Sequence, residues 1–119
     1  MSINATAEMV KVTFRPTRRG FHIYSLDLPA GGLGIPTRVN VRAGLKAAGA
    51  PSADKSERRL DLPSLNTRLQ VYPDGPVTIS LPVRRTNGAA EVVVSYGACS
   101  RNVCLAPVID RTTTMTLPT

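Results

Sequence analysis

Cys99 and Cys104 are the only two cysteines in the chain, and the four residues Ser100-Arg101-Asn102-Val103 separate them. Two thiols at this spacing can join as a disulfide, part again, and exchange with a thiolate from elsewhere. The run Val92-Val93-Val94-Ser95-Tyr96 has the β-branched and aromatic character of a strand, and Ser100-Arg101-Asn102 that of a polar turn. The cysteines are therefore expected on opposite arms of a hairpin. Facing residues of an antiparallel pair have Cα atoms about 4.5 to 5.5 Å apart, inside the roughly 4.4 to 6.8 Å that a disulfide spans. The two thiols can bond to each other.

Such a bond is a weak staple. Chain entropy gives a closed loop of about six residues roughly 2 kcal/mol, against nearly 5 for a loop of about a hundred. A lone short-loop bridge thus favours a pair kept for its reversibility, with a strand-end disulfide that never turns over as the alternative. A zinc site would need a second Cys/His pair, which C-x₄-C lacks here. A softer metal such as copper, held by both thiolates with His22 or a methionine, is a further reading. Arg101 either favours a thiolate by its charge or is a solvated turn residue.

The elements that must position this pair read as short strands. Ala7 to Phe14 alternates and is broken by Arg15 to Gly20. Phe21 to Leu28 follows, with Phe21, Ile23 and Ser25 on one face and His22, Tyr24 and Leu26 on the other. Pro29 to Pro36 is a glycine-rich loop, and Thr37 to Ala43 a third strand. Gly44 to Leu60, polar and interrupted by Gly49 and Pro51, reads as a surface loop. A short strand through Leu69, Val71 and Tyr72 ends at the turn Pro73-Asp74-Gly75. Val77 to Arg84 alternates most clearly, with Pro82 asking for a sheet edge or bulge. Thr86-Asn87-Gly88 signals a hairpin into Glu91 to Ala98, and Val108 to Leu117 closes the set. About eight short strands without a helix predict an all-β fold, an immunoglobulin-like antiparallel β-sandwich, although the pattern alone fits a barrel equally.

The 119 residues form one expected domain, 1–119, large enough to bury around two-thirds of its unfolded surface. The net charge of +7 is scattered over pairs such as Arg18-Arg19, Arg58-Arg59 and Arg84-Arg85, without the aromatic interleaving of a single-strand binder. No nucleic-acid partner is expected. The charge serves solubility and can steer acidic partner proteins. No apolar run approaches the ~20 residues of a membrane span, and Met1 to Met9 lacks the regions of a signal peptide.

Three ordered stretches resemble the N-terminal (alpha) domain of DsbD-type thiol:disulfide interchange proteins. They are Tyr96-Gly97-Ala98-Cys99 through Cys104-Leu105-Ala106-Pro107, Gly20 to Leu26 together with Gly34-Ile35-Pro36-Thr37, and Gly75 to Val83. The resemblance favours the sandwich over the barrel. It implies a periplasmic domain without a bound cofactor that passes reducing equivalents from a thioredoxin-like donor domain to oxidised thioredoxin-fold acceptors, within a parent protein that can be membrane-embedded. It implies Cys104 as the exposed nucleophile and Cys99 as the resolving thiol. It places Tyr24 and His22 beside the cysteines, His22 being the one histidine and so a neighbour able to tune a thiol or a hydrogen-bonded framework residue. It also implies a cap loop, for which Asp61 to Thr67 stands in the right place, with Leu62 and Leu65 but no aromatic. The rival class is an immunoglobulin-like structural or interaction module whose disulfide is inert.

The short loop carries a prediction. Reduction of the Cys99–Cys104 bond should leave one cooperative thermal transition, shifted by degrees rather than tens of degrees. Loss of the transition on reduction, followed by circular dichroism, would make the bond structural.

Overall fold

A computed structural model describes residues 1–16, 19–29, 34–63 and 66–117. The strands are β1 (Ser2–Ala5), β2 (Met9–Phe14), β3 (His22–Ile23), β4 (Arg38–Ala47), β5 (Ser52–Ala53), β6 (Arg58–Leu62), β7 (Thr67–Val71), β8 (Val77–Tyr96), β9 (Ala98–Cys99) and β10 (Val108–Met115). Every pairing between them is antiparallel.

The frame is β8. In its first half Val77, Ile79, Leu81 and Val83 are buried, and in its second half Ala90, Val92 and Val94. Six exposed residues, 84–89, separate the halves and shift the inward side chains from odd to even positions. Without that shift one half would turn its valines to water. The first half pairs with β2 and β5 and, at Val83, with the end of β4; the second pairs with β4 and β10. Inward residues of both halves join one core cluster with Val10, Val12, Phe14, Val39 and Leu45. The Phe14 and Tyr96 rings, 5.0 Å between centroids, tie β2 to the far end of β8.

The hairpin predicted at Thr86-Asn87-Gly88 is not formed. The chain runs through as one strand, because residues 86–89 bulge out opposite a single residue of its partner β4. Ala43 faces Ala90 and Leu45 faces Arg85, so Gly44 alone stands opposite residues 86–89. Gly88 takes the positive φ of 107° that the insertion requires, and the Thr86 hydroxyl closes it by donating to the Ala43 carbonyl at 2.7 Å. Residues 44–60 also differ from the loop expected. They complete β4, form β5 and begin β6, and their polarity reflects exposure of these strands, in which Leu45 and Leu60 are buried. The Phe21 to Leu28 strand shortens to β3 plus a single bridge from Tyr24 to Val71, and β1 adds a strand before the first one expected. Pro82 pairs with Met9 of β2 on one side, and on the other lies just past the end of β4, where its carbonyl accepts from the Ala48 N–H at 2.8 Å and the ladder then breaks before β5.

Two small sheets, β3–β9 and β6–β7, flank this frame and enclose a second apolar cluster of Tyr24, Leu28, Leu60, Leu62, Leu69, Val71 and Cys99.

The bulge generates opposite expectations for adjacent residues. A Cβ at Gly44 would collide with the Gly88 carbonyl, whereas Ala43 already bears a positive φ of 57°. Gly44→Val should cost about 2 to 3 kcal/mol in urea unfolding. Ala43→Gly should stay within about 1 kcal/mol of the parent chain, relief of strain offsetting the added backbone entropy.

Candidate functional site

Cys99 ends β9, the strand that pairs with β3 in the register His22↔Cys99 and Ile23↔Ala98. Tyr24 continues that register by donating its N–H to the Gly97 carbonyl at 3.3 Å. Side chains alternate across a strand. His22, Tyr24 and Cys99 therefore share one face, with Tyr24 one diagonal step from Cys99.

The arm after Cys99 folds back as a tight hairpin. Ser100 N–H donates to Val103 O at 2.8 Å and Leu105 N–H to Ala98 O at 2.9 Å. The Ser100 hydroxyl oxygen accepts from the N–H groups of Asn102 and Val103 and so holds the polar turn. These bonds leave Cys99 and Cys104 as the non-hydrogen-bonded pair of the ladder, the position at which facing Cα atoms come closest. Their Cα atoms are 4.0 Å apart and the sulfurs are joined in a disulfide.

The two sulfurs differ in access. Cys99 is 0% exposed and belongs to the second apolar cluster, whereas Cys104 is partly exposed and only packs against it. Val103 and Leu105, on either side of Cys104, are both largely exposed, and Arg101 is exposed and makes no ion pair among the described residues. By alternation Leu105 points to the face opposite the sulfurs, so it does not extend the surface around Cys104 itself.

Tyr24 is the group in closest polar contact with the pair. Its hydroxyl lies 2.9 Å from Cys99 Sγ, and because a disulfide sulfur carries no proton, the phenol is the donor. Burial, which disfavours phenolate, raises the Tyr24 pKa above its ordinary 10.0. The backbone is fixed as firmly as the ring. The Thr37 hydroxyl, itself buried, donates to the Tyr24 carbonyl at 2.6 Å.

Two glycines make room for the ring. A Cβ at Gly97 would lie 2.7 Å from Tyr24 Cε2, and one at Gly34 would lie 2.6 Å from Tyr24 Cζ. Gly34 also has a φ of 79°, a second reason for glycine there. Neither residue is identified as part of the site by sequence reasoning, although both stand inside the stretches that carry the family resemblance.

His22, half-buried, directs both ring nitrogens to the segment after β7. Nδ1 donates to the Tyr72 carbonyl at 2.8 Å, and Nε2 lies 3.4 Å from Asp74 Oδ1. The ring ties the strand facing Cys99 to the next turn, which is the framework role. Of the expected cap, Leu62 is buried beside Cys99 and Tyr24 in the second cluster, and Leu60, Leu69 and Val71 join it from β6 and β7. Leu65 lies outside the described residues.

Together these elements define the class: an immunoglobulin-like antiparallel β-sandwich with a hairpin disulfide, one sulfur buried against a tyrosine and the other open. Among solved structures the chain resembles the N-terminal domain of DsbD from Neisseria meningitidis in its reduced form, with a TM-score of 0.67 at 19% identity, covering 96% of this chain and 81% of that one. At this identity the likeness is one of fold. No protein-family model and no curated protein matches the chain.

Two predictions follow from the ring and its glycines. Gly97→Ala should displace the Tyr24 ring and cost about 1 to 3 kcal/mol, read by urea unfolding of the oxidised form. The raised phenol pKa sets a sign: its contribution is whole below pH ~10 and is lost as pH rises through the folded value, since the unfolded chain ionises first. The stability of the parent chain should therefore fall more steeply above pH ~10 than that of Tyr24→Phe. Parallel curves would remove Tyr24 as the cause.

Proposed function

We propose that this domain is a thiol-disulfide exchange module that works through the Cys99–Cys104 pair. The observation that carries the reading is the unequal setting of the two sulfurs, one sealed in an apolar cluster beside a neutral phenol and the other at the surface of a tight turn. A bridge placed for stability alone has no use for this inequality. The fold shared with the DsbD domain supports the same reading.

In the reduced domain the Cys104 thiolate attacks one sulfur of a partner disulfide. The partner's other sulfur leaves as a thiolate and takes a proton from water, and a Cys104–partner mixed disulfide remains. Cys99, as thiolate, then attacks Cys104 Sγ, which re-forms the intramolecular bond and releases the partner's second thiol. Two electrons have passed to the partner. The Tyr24 hydroxyl, donating to Cys99, favours its thiolate over its thiol and so prepares the resolving attack. His22 acts at one remove, holding the strand that faces Cys99. The Leu60, Leu62, Leu69 and Val71 side chains keep Cys99 from direct attack.

The partners in this proposal are a thioredoxin-like domain that re-reduces the pair and oxidised thioredoxin-fold proteins that receive its electrons. The compartment is the periplasm, where such a pair cycles between its two states. No bound cofactor enters the cycle.

The test uses the two single mutants. Incubated with an oxidised thioredoxin-like protein, Cys99→Ser should accumulate a covalent complex on a non-reducing gel, and Cys104→Ser little or none. Equal trapping would end the assignment of roles. No trapping by either, together with a reduction potential below about −300 mV, would make the bridge an inert structural one.

A further inference from the structure

The small sheet that carries the cysteines has a second face. His22, Tyr24, Cys99 and Cys104 occupy one side, and by alternation Phe21, Ile23, Ala98 and Leu105 occupy the other. This reverse side opens on a groove of about 440 Å³, continued by Phe14 and Tyr96 from the main core. Its floor is sealed, with Phe14 1% and Ile23 6% exposed, while Leu105 on its wall is 42% exposed. Cavities that hold small organic molecules run from about 300 to 1,000 Å³ and are mostly apolar with a few placed polar groups.

One charged side chain lines this groove, that of Arg15, and no acidic side chain does. Arg15 is exposed and makes no ion pair among the described residues. The backbone of the floor is already spent. Ala98 O accepts from Leu105, Ile23 O accepts from Tyr72, and β3 is paired with β9 along its length. An added strand would find few partners there. What remains to offer is apolar side-chain surface and the Arg15 guanidinium, with Met1, whose backbone amine is a second cation, also in the lining.

We propose that the groove binds a small amphiphilic carboxylate, with its alkyl chain along Phe21, Ile23, Tyr96 and Leu105 and its carboxylate at Arg15. The alkyl chain removes apolar wall from water, and the guanidinium receives the carboxylate through two N–H donors. This site stands apart from the sulfurs and does not rest on the exchange reading.

The experiment is an amide chemical-shift titration of the oxidised domain with decanoate below its micelle concentration. Saturable shifts are expected at Phe21, Ile23, Ala98 and Leu105 and not along β6–β7. Arg15→Glu, an exposed change that should leave the rest of the spectrum in place, should weaken the apparent affinity at least tenfold. Ala106→Trp should fill the groove and abolish the shifts. Decyl maltoside should bind more weakly than decanoate, and decyltrimethylammonium more weakly still. Absent or non-saturating shifts, equal affinity for the three headgroups, or indifference to Arg15→Glu would each overturn the proposal.

Discussion

The pairing of Tyr24 with Gly97 in the β3–β9 ladder is the constraint on which the site depends. It lays the largest fully buried side chain among the described residues across a residue that has none, so the phenol can reach one step along the strand to Cys99 Sγ. A shift of one residue in this register would carry His22 and Tyr24 to the groove side and bring Phe21 and Ile23 against the sulfurs. The hydroxyl of Thr37 and the bridge to Val71 hold the register from the other edge. Local hydrogen bonding and the chemistry of the sulfurs are here one arrangement.

The larger frame serves that small ladder. β8 leads directly through Tyr96 and Gly97 into β9, so the position of Cys99 is inherited from the second half of the longest strand. The four-against-one bulge at Gly44 lets both halves of β8 face a common core, and the burial of Val92 and Val94 fixes the direction in which the chain arrives at the cysteines. Packing far from the sulfurs thereby sets their geometry.

How much of this is legible in the residues depends on range. The cysteine hairpin is local, six residues closed by a polar turn, and Ser100 specifies it. Period-2 alternation correctly places His22 and Tyr24 on a common face. Asn87-Gly88 misleads, because the same backbone freedom that makes a hairpin also makes a bulge, and the choice is made by β4, forty residues earlier in the chain. Residues 44–60 mislead for a related reason: the alternation of Arg58–Leu62 rests on Leu60 and Leu62 alone, too short a run to stand out from the polar residues before it. Gly34 and Gly97 carry no local signal of their role, since each is defined by a tyrosine distant in sequence.

The glycine clamp has a consequence in time. Gly34 meets the Cε1–Cζ edge of Tyr24 and Gly97 the Cε2–Cδ2 edge, so the ring is held from two sides by main chain rather than by side chains that can swing aside. An aromatic ring among side chains turns over whenever its neighbours breathe; this one can turn only when the 34 loop and the β9 strand move apart. The half-turn of Tyr24 is therefore a clock for the opening of the domain around Cys99, and its two ring edges, magnetically distinct while the clamp is closed, would report the rate of that opening without any reagent touching the sulfurs.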